Sequence, residues 1–187
     1  GEGRFAEKFP SLKIKLHVDT LDLLALHLIK ETLQMHLDLD GDFPSTNHDA
    51  LQGKMNISDI AVTRAGKSVH TDSIHIMAEH SDTAQLIQLR SEMADLDWEG
   101  KYKLTEVSDA FRQLINTYYK LPGKTDSARV AAEDWRMRIA LRASPLVLEL
   151  MPALKGTDSV RGNISFNSAA NDFHLELLAP KIQLNQQ

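Results

Sequence analysis

Apolar and polar residues alternate with a period of two along much of this chain, the spacing that lays apolar side chains on one face of a pleated strand. Leu12, Ile14, Leu16 and Val18 alternate with Lys13, Lys15 and His17. Leu33, Met35, Leu37 and Leu39 alternate with Gln34, His36 and Asp38, after which Asp40-Gly41-Asp42 reads as a turn. Trp135, Met137, Ile139 and Leu141 stand against Arg136, Arg138 and Arg142. Further strands are expected from Met55 and Ile57, and from Ile74 and Ile76 after the turn-like Ala65-Gly66-Lys67. Another is expected as one long run from Leu86 to Leu104 through Trp98 and Tyr102.

The period changes in two segments. Val107, Phe111, Leu114, Ile115 and Tyr118 share one face of a helix over about residues 107–120, with Thr105 or Ser108 as N-cap and Leu121-Pro122-Gly123 as the stop. Phe111, Leu114, Ile115 and Tyr118 are expected to cap an apolar surface. A second short helix is expected from Pro145 towards Leu154, because Ser144 can cap it and Pro145 suits the first turn, while Pro152 limits it. Gly123 to Ser127 reads as a loop. The pattern apolar-x-Gly-x-apolar-x-apolar occurs twice, at Leu51 to Ile57 and at Val160 to Phe166, as a faint internal repeat. The expected fold is mainly β, an antiparallel sheet with one or two short helices. Residues 1–11 read as a linker, 12–122 as a first β-rich repeat ending in a helix, and 123–187 as a second β-rich segment continuing the same sheet.

Composition narrows the function classes. The 187 residues, 42% hydrophobic and 25% charged, resemble a globular chain and exclude general disorder. The longest apolar stretch, Leu21 to Ile29, is broken by Asp22 and His27 and falls short of the roughly 18 residues of a membrane-spanning helix. The opening Gly1-Glu2-Gly3-Arg4 lacks signal-peptide features and reads as the start of a processed or excised piece. A net charge of −5 argues against nucleic acid, which is bound mostly by basic side chains. With no cysteine there is no disulfide, thiolate metal site or cysteine nucleophile, which suits an oxidising compartment.

Candidate chemistry is sparse. Gly1-Glu-Gly3-Arg-Phe-Ala6 has the letters of a dinucleotide fingerprint but no strand before it. His36-Leu-Asp38-Leu-Asp40-Gly41 has the wrong first ligand for a calcium loop, and Asn47 stands where a bidentate Glu belongs. His-x-Asp pairs recur at His17/Asp19, His36/Asp38, His70/Asp72 and His80/Asp82. Each pair shares a strand face, and two pairs together would suit zinc or copper. The expectation is instead that they are dispersed over a solvated face, with no metal site, no cofactor and no enzyme active site. The arginine stripe Arg136, Arg138 and Arg142 is read as a solvated face paired with acidic residues, with anionic headgroups as the alternative partner.

The succession Leu51-Gln-Gly53-Lys-Met55-Asn-Ile57-Ser-Asp59-Ile60, Asp72-Ser73-Ile74, Leu89-Arg90-Ser91-Glu92 and Gly100-Lys101-Tyr102-Lys103-Leu104, followed by Phe111 to Tyr119, resembles the Bacteroidetes branch of the TamB/AsmA-like family. Thr20-Leu21-Asp22-Leu23 and Leu178-Ala179-Pro180-Lys181-Ile182 resemble its flanking segments, so the resemblance covers about residues 12–184. Gly123 to Leu154 departs from it, being more helix-like and charged than a uniform β-repeat.

The resemblance implies a curved, taco-like antiparallel sheet, apolar inside, in a periplasmic protein anchored at the inner membrane. It implies phospholipid transport to the outer membrane, outer-membrane protein assembly, or both, with phospholipid acyl chains and a barrel-assembly-type protein as partners. Leu12, Ile14, Leu16, Val18, Leu33, Met35, Leu37, Leu39, Trp135, Met137, Ile139 and Leu141 would line the groove. Alternation alone equally suits a β-sandwich module that binds no lipid.

Overall fold

Strands with one apolar and one polar face satisfy their backbone hydrogen bonds by pairing edge to edge with their apolar sides aligned, and the described strands do this. The computed structural model describes residues 2–3, 9–22, 33–64, 66–110, 112, 132–150 and 159–179. They form one open antiparallel sheet of β1 (Glu2–Gly3), β2 (Leu12–Asp22), β3 (Leu33–Ser45), β4 (Gln52–Arg64), β5 (Lys67–Thr71), β6 (Ile74–His80), β7 (Gln85–Ser91), β8 (Ala94–Lys101), β9 (Asp134–Arg142), β10 (Ser159–Asn167) and β11 (Asp172–Leu178). Each strand pairs with its successor, except that β5 and β6 share one flank of β4. β5 takes Ile60 to Arg64 and β6 takes Gly53 to Ile57. Among the described residues no helix is long and apolar enough to cross a membrane.

Several elements differ from the sequence expectation. Asp40-Gly41-Asp42 is no turn but the middle of β3. Asp40 and Asp42 project on the polar side, 3.5 Å from Lys15 and 3.4 Å from Lys13, while Gly41 lies buried under the Phe43 ring. The run from Leu86 to Leu104 is a hairpin, not one strand. Its turn carries no Gly or Pro; instead the Ser91 hydroxyl accepts from the Ala94 N–H at 2.9 Å and donates to its carbonyl at 3.0 Å. β5, a strand not expected from the sequence, follows the turn at Gly66 and begins at its last residue, Lys67. Within the presumed linker, Glu2–Gly3 pairs with Leu12 and Lys13.

Register shifts bend the sheet. β2 carries an extra residue between Val18 and Leu21, β4 one beside Asp59 at φ 52°, and β3 one between Asp42 and Ser45. Bulges of this kind bend a strand and increase its twist. At the last of them Gly53 has φ 147° and lies so close to β3 that a Cβ would stand 2.5 Å from the Asp42 carbonyl oxygen, so the bulge needs glycine.

Buried apolar side chains gather at two places. Near one end Tyr102, Ala110, Trp135 and Phe166 form a cluster joined by Trp98 and Val107. Trp98 stacks on Tyr102 with ring centres 4.3 Å apart, and Trp135 meets Phe166 at 5.5 Å. Residues 107–110 are helical, as expected, but Thr105 is not their cap. Its hydroxyl donates to the Asp49 carboxylate at 2.9 Å, which also accepts its backbone N–H at 3.2 Å. Phe111, Leu114, Ile115 and Tyr118 lie outside the described residues. Towards the other end Ile60 and Val62 pack with Met35, Leu37, Val69, Ile74 and Met93. The helix Pro145–Leu150 lies beside β5, and the Ser144 hydroxyl caps it by accepting from the Val147 N–H at 3.2 Å.

Candidate functional site

The strand register assembles a single apolar face. Crossing the sheet from β2 to β11, Ile14, Gly41, Met55, Ile76, Leu89, Leu96, Ile139, Gly162 and Leu177 stand directly opposite one another in turn. The side chains in this row belong to neither buried cluster. Ile14, Met55, Ile76, Leu89, Leu96 and Ile139 are half-buried, and Leu177 is 62% exposed. A parallel row runs through Ala78, Ile87, Trp98, Met137, Ile164 and Leu175.

The candidate lipid contacts whose side chains are described fall on this side. Leu12, Leu16 and Val18 of β2 face Phe43, Leu39 and Leu37 of β3, Met35 faces Val62 of β4, and Leu33 holds the next alternate position, across from Arg64. Trp135, Met137, Ile139 and Leu141 face Phe166, Ile164, Gly162 and Val160. They are not equivalent. Trp135 is buried in one cluster, and Met35 and Leu37 pack against the other, whereas Leu16 is 50% exposed. The contacts named from sequence omit β4, β6, β7, β8, β10 and β11, which join the same rows through register.

The other side is polar and internally paired. Arg142 meets Asp95, and Arg138 lies 3.9 Å from Asp97, which Arg90 also grips. The Arg90 hydrogen bond, outweighing partial burial, holds the Asp97 carboxyl below its ordinary value. A cavity of 660 Å³ opens between Asp40, Lys54, Asn56, His75, Gln88 and Arg90, with Met55, Ile76 and Met77 also lining it. At its rim Asp40 faces Lys15, Arg90 grips Asp97, and His75 Nε2 lies 2.7 Å from the Ser73 hydroxyl.

The His-x-Asp pairs are not all dispersed, which corrects the expectation. Register sets His17 directly opposite Asp38, next to the bulge after Val18 in β2 and the one beside Asp59 in β4, and so brings two of them together. His17 has Asp38 on its Nδ1 and Asp19 on its Nε2 at 3.0 Å, while His36 has the Asp19 carbonyl on Nδ1 at 3.2 Å and Asp59 on Nε2 at 2.9 Å. Every ring nitrogen faces an acceptor, so both imidazoles complete their bonds only as double donors, the protonated form. Because the acceptors sit on opposite edges of each ring, they converge on no common point. Among the described residues no group of three such side chains is arranged to hold a metal ion.

This cluster gives a pH prediction. The Asp38 bond raises the His17 pKa above 6.5, and the Asp59 bond raises that of His36. A raised folded-state pKa contributes stability fully present below pH 6.5 and lost as pH climbs through the raised values. Urea midpoints of wild type and His17→Asn should therefore differ at about pH 6, and the difference should shrink as pH rises above that. A difference that grew with pH would contradict the assignment.

No family model, curated protein or solved structure matches this chain.

Proposed function

We propose that this chain is a non-catalytic segment of a periplasm-spanning envelope protein similar to the TamB/AsmA-like family, anchored at the inner membrane by a part outside these residues. Its apolar sheet face holds phospholipid acyl chains, in the service of lipid transport between membranes, outer-membrane protein assembly with a barrel-assembly-type partner, or both. The supporting observation is the half-buried apolar row that crosses the sheet from Ile14 to Leu177 without a charged side chain. A β-sandwich would place a second sheet over that row, and all the described strands belong to one sheet.

The dimensions suit an acyl chain. Strands lie about 4.8 Å apart, and one leaflet of a bilayer core is about 15 Å thick, so an extended chain covers roughly three strands. The row is longer than that, and its successive positions are chemically alike. A chain can therefore move from strand to strand without crossing a polar barrier. Shielding ten methylenes contributes about 8 kcal/mol, enough to offset partial extraction from a bilayer. No proton transfer or bound cofactor enters this reading.

Native mass spectrometry of protein purified without detergent tests it. The expected spectrum carries adducts of phospholipid mass that dissociate on activation. Bare protein, both as purified and after incubation with phospholipid vesicles, would overturn the proposal.

A further inference from the structure

The cavity of 660 Å³ lies between β3, β4, β6 and β7, within the sheet and away from both of its edges. Two rows of side chains wall it. Asp40, Asn56, His75 and Arg90 stand opposite one another in turn, as do Lys54, Met77 and Gln88 in the next row. Its volume falls within the range of about 300–1,000 Å³ of small-molecule sites. Charge around it does not balance. Asp40 faces Lys15 at 3.5 Å, Asp42 faces Lys13 at 3.4 Å, and Asp97 is shared by Arg90 and, at 3.9 Å, Arg138. Among the described residues Lys54 has no carboxylate within ion-pair distance, and Glu79, the next residue of β6 on that side, is outside the lining. The surplus is therefore positive. The neighbouring groups add donors. The Asn56 side-chain oxygen is shut off from solvent and has no partner, so the end of that amide left for a ligand is its NH2. His75 uses only Nε2, on the Ser73 hydroxyl, and keeps Nδ1. Arg90 is pinned by the Leu89 and Leu96 carbonyls and by Asp97, which take three of its five N–H groups.

We propose that this cavity binds an organic phosphate, with Lys54, the Asn56 amide, His75 and Arg90 donating to the phosphate oxygens and the organic group lying along Met77, which is 38% exposed. The donors come from three adjacent strands, β4, β6 and β7. A phosphate suits such a set because its oxygens point in several directions, whereas the two oxygens of a carboxylate share one plane and match a single forked donor. Bare phosphate would leave most of the cavity empty, and an ester fills it. The same chemistry belongs to two sources, a free phosphate ester and a phospholipid headgroup. The walls occupy strand positions that alternate with the row through Met55, Ile76 and Leu89, so the site does not share the surface proposed for acyl chains and stands or falls without it.

The test titrates glycerol phosphate into the 187-residue chain and follows backbone amide shifts by NMR. Saturable shifts should centre on Lys54, Asn56, His75 and Gln88, and inorganic phosphate should bind the same place more weakly. Lys54→Gln should weaken binding by about tenfold through loss of a charge-assisted bond, while Lys54→Arg should keep most of it. Lys54 is exposed and makes no side-chain bond among the described residues, so both variants should keep the wild-type unfolding midpoint. Lys67→Gln removes the same charge from β5, outside the cavity, and should change affinity by less than about twofold. Asn56→Leu deletes a donor together with an orphaned oxygen, so it should weaken binding without lowering the midpoint. Competition by dihexanoyl phosphatidylglycerol below its micelle concentration would assign the phosphate to a lipid headgroup, and its failure to compete would assign it to a free ester. An absence of saturable shifts overturns the proposal. So does equal weakening by Lys54→Gln and Lys67→Gln, because net charge alone then accounts for the binding.

Discussion

Replacing Gly100 by alanine should destabilise the fold by about 3 kcal/mol, combining backbone strain at a forbidden φ with a steric clash in a packed layer. Gly100 has φ 136°, and a Cβ there would stand 2.3 Å from the Asp134 carbonyl oxygen and 2.5 Å from Trp135 Cα. Both obstacles are backbone, so no rotamer relieves them. β8 and β9 would have to part where Gly100 pairs with Trp135, and that separation would open the cluster of Trp135, Tyr102 and Phe166. Gly66 is the control. Its φ is 77°, yet nothing lies within 4 Å of a Cβ built on it, so alanine there should cost only about 1 kcal/mol of backbone strain. Urea midpoints of the two variants measure the difference. Equal effects would mean that the close approach of β8 and β9 at Gly100 is not held in solution.

The strands were legible where alternation is strong and both faces carry decisive residues. β2, β3 and β9 read out directly, because Leu, Ile, Met and Trp on one side oppose Lys, His, Asp and Arg on the other. Gly41 misled because a glycine between two aspartates has turn chemistry locally. Only the neighbouring strand shows that those aspartates meet Lys13 and Lys15 while the glycine makes room for Phe43. The hairpin between β7 and β8 was hidden for the opposite reason. Its turn is closed by the Ser91 hydroxyl, and strong alternation on both sides reads as one long run. β5 has one large apolar residue, Val69, too few to register as a period.

The candidate site was legible in part. The local pattern gives which side of each strand is apolar, and so named Leu16, Leu37, Met137 and Ile139. It does not give which of these are sealed into a cluster, because that depends on residues distant in sequence. Leu37 sits against Ile60 and Val62 through a bulge at Asp59 that no local pattern announces. The meeting of His17 with Asp38 is invisible for the same reason, since register across two strands creates it.

That difference between sealed and open positions makes a paired substitution the sharpest test of lipid binding. Ile139→Glu should leave the chain folded and reduce co-purified or photo-crosslinked phospholipid by about tenfold or more, whereas Leu37→Glu should cost several kcal/mol of stability. Ile139 stands in the central row, half-buried and outside both clusters, so a carboxylate there can turn towards water while its charge repels an acyl chain. Leu37 packs among Ile60, Val62 and Met35, where a carboxylate finds no donor and loses hydration. Comparing circular dichroism and unfolding midpoint with lipid content separates the two effects. If Ile139→Glu unfolds like Leu37→Glu, the central row is a closed core with no room for a ligand. Should Ile139→Glu stay folded and keep its lipid, the chain binds lipid elsewhere, and the row from Ile14 to Leu177 has a structural role alone.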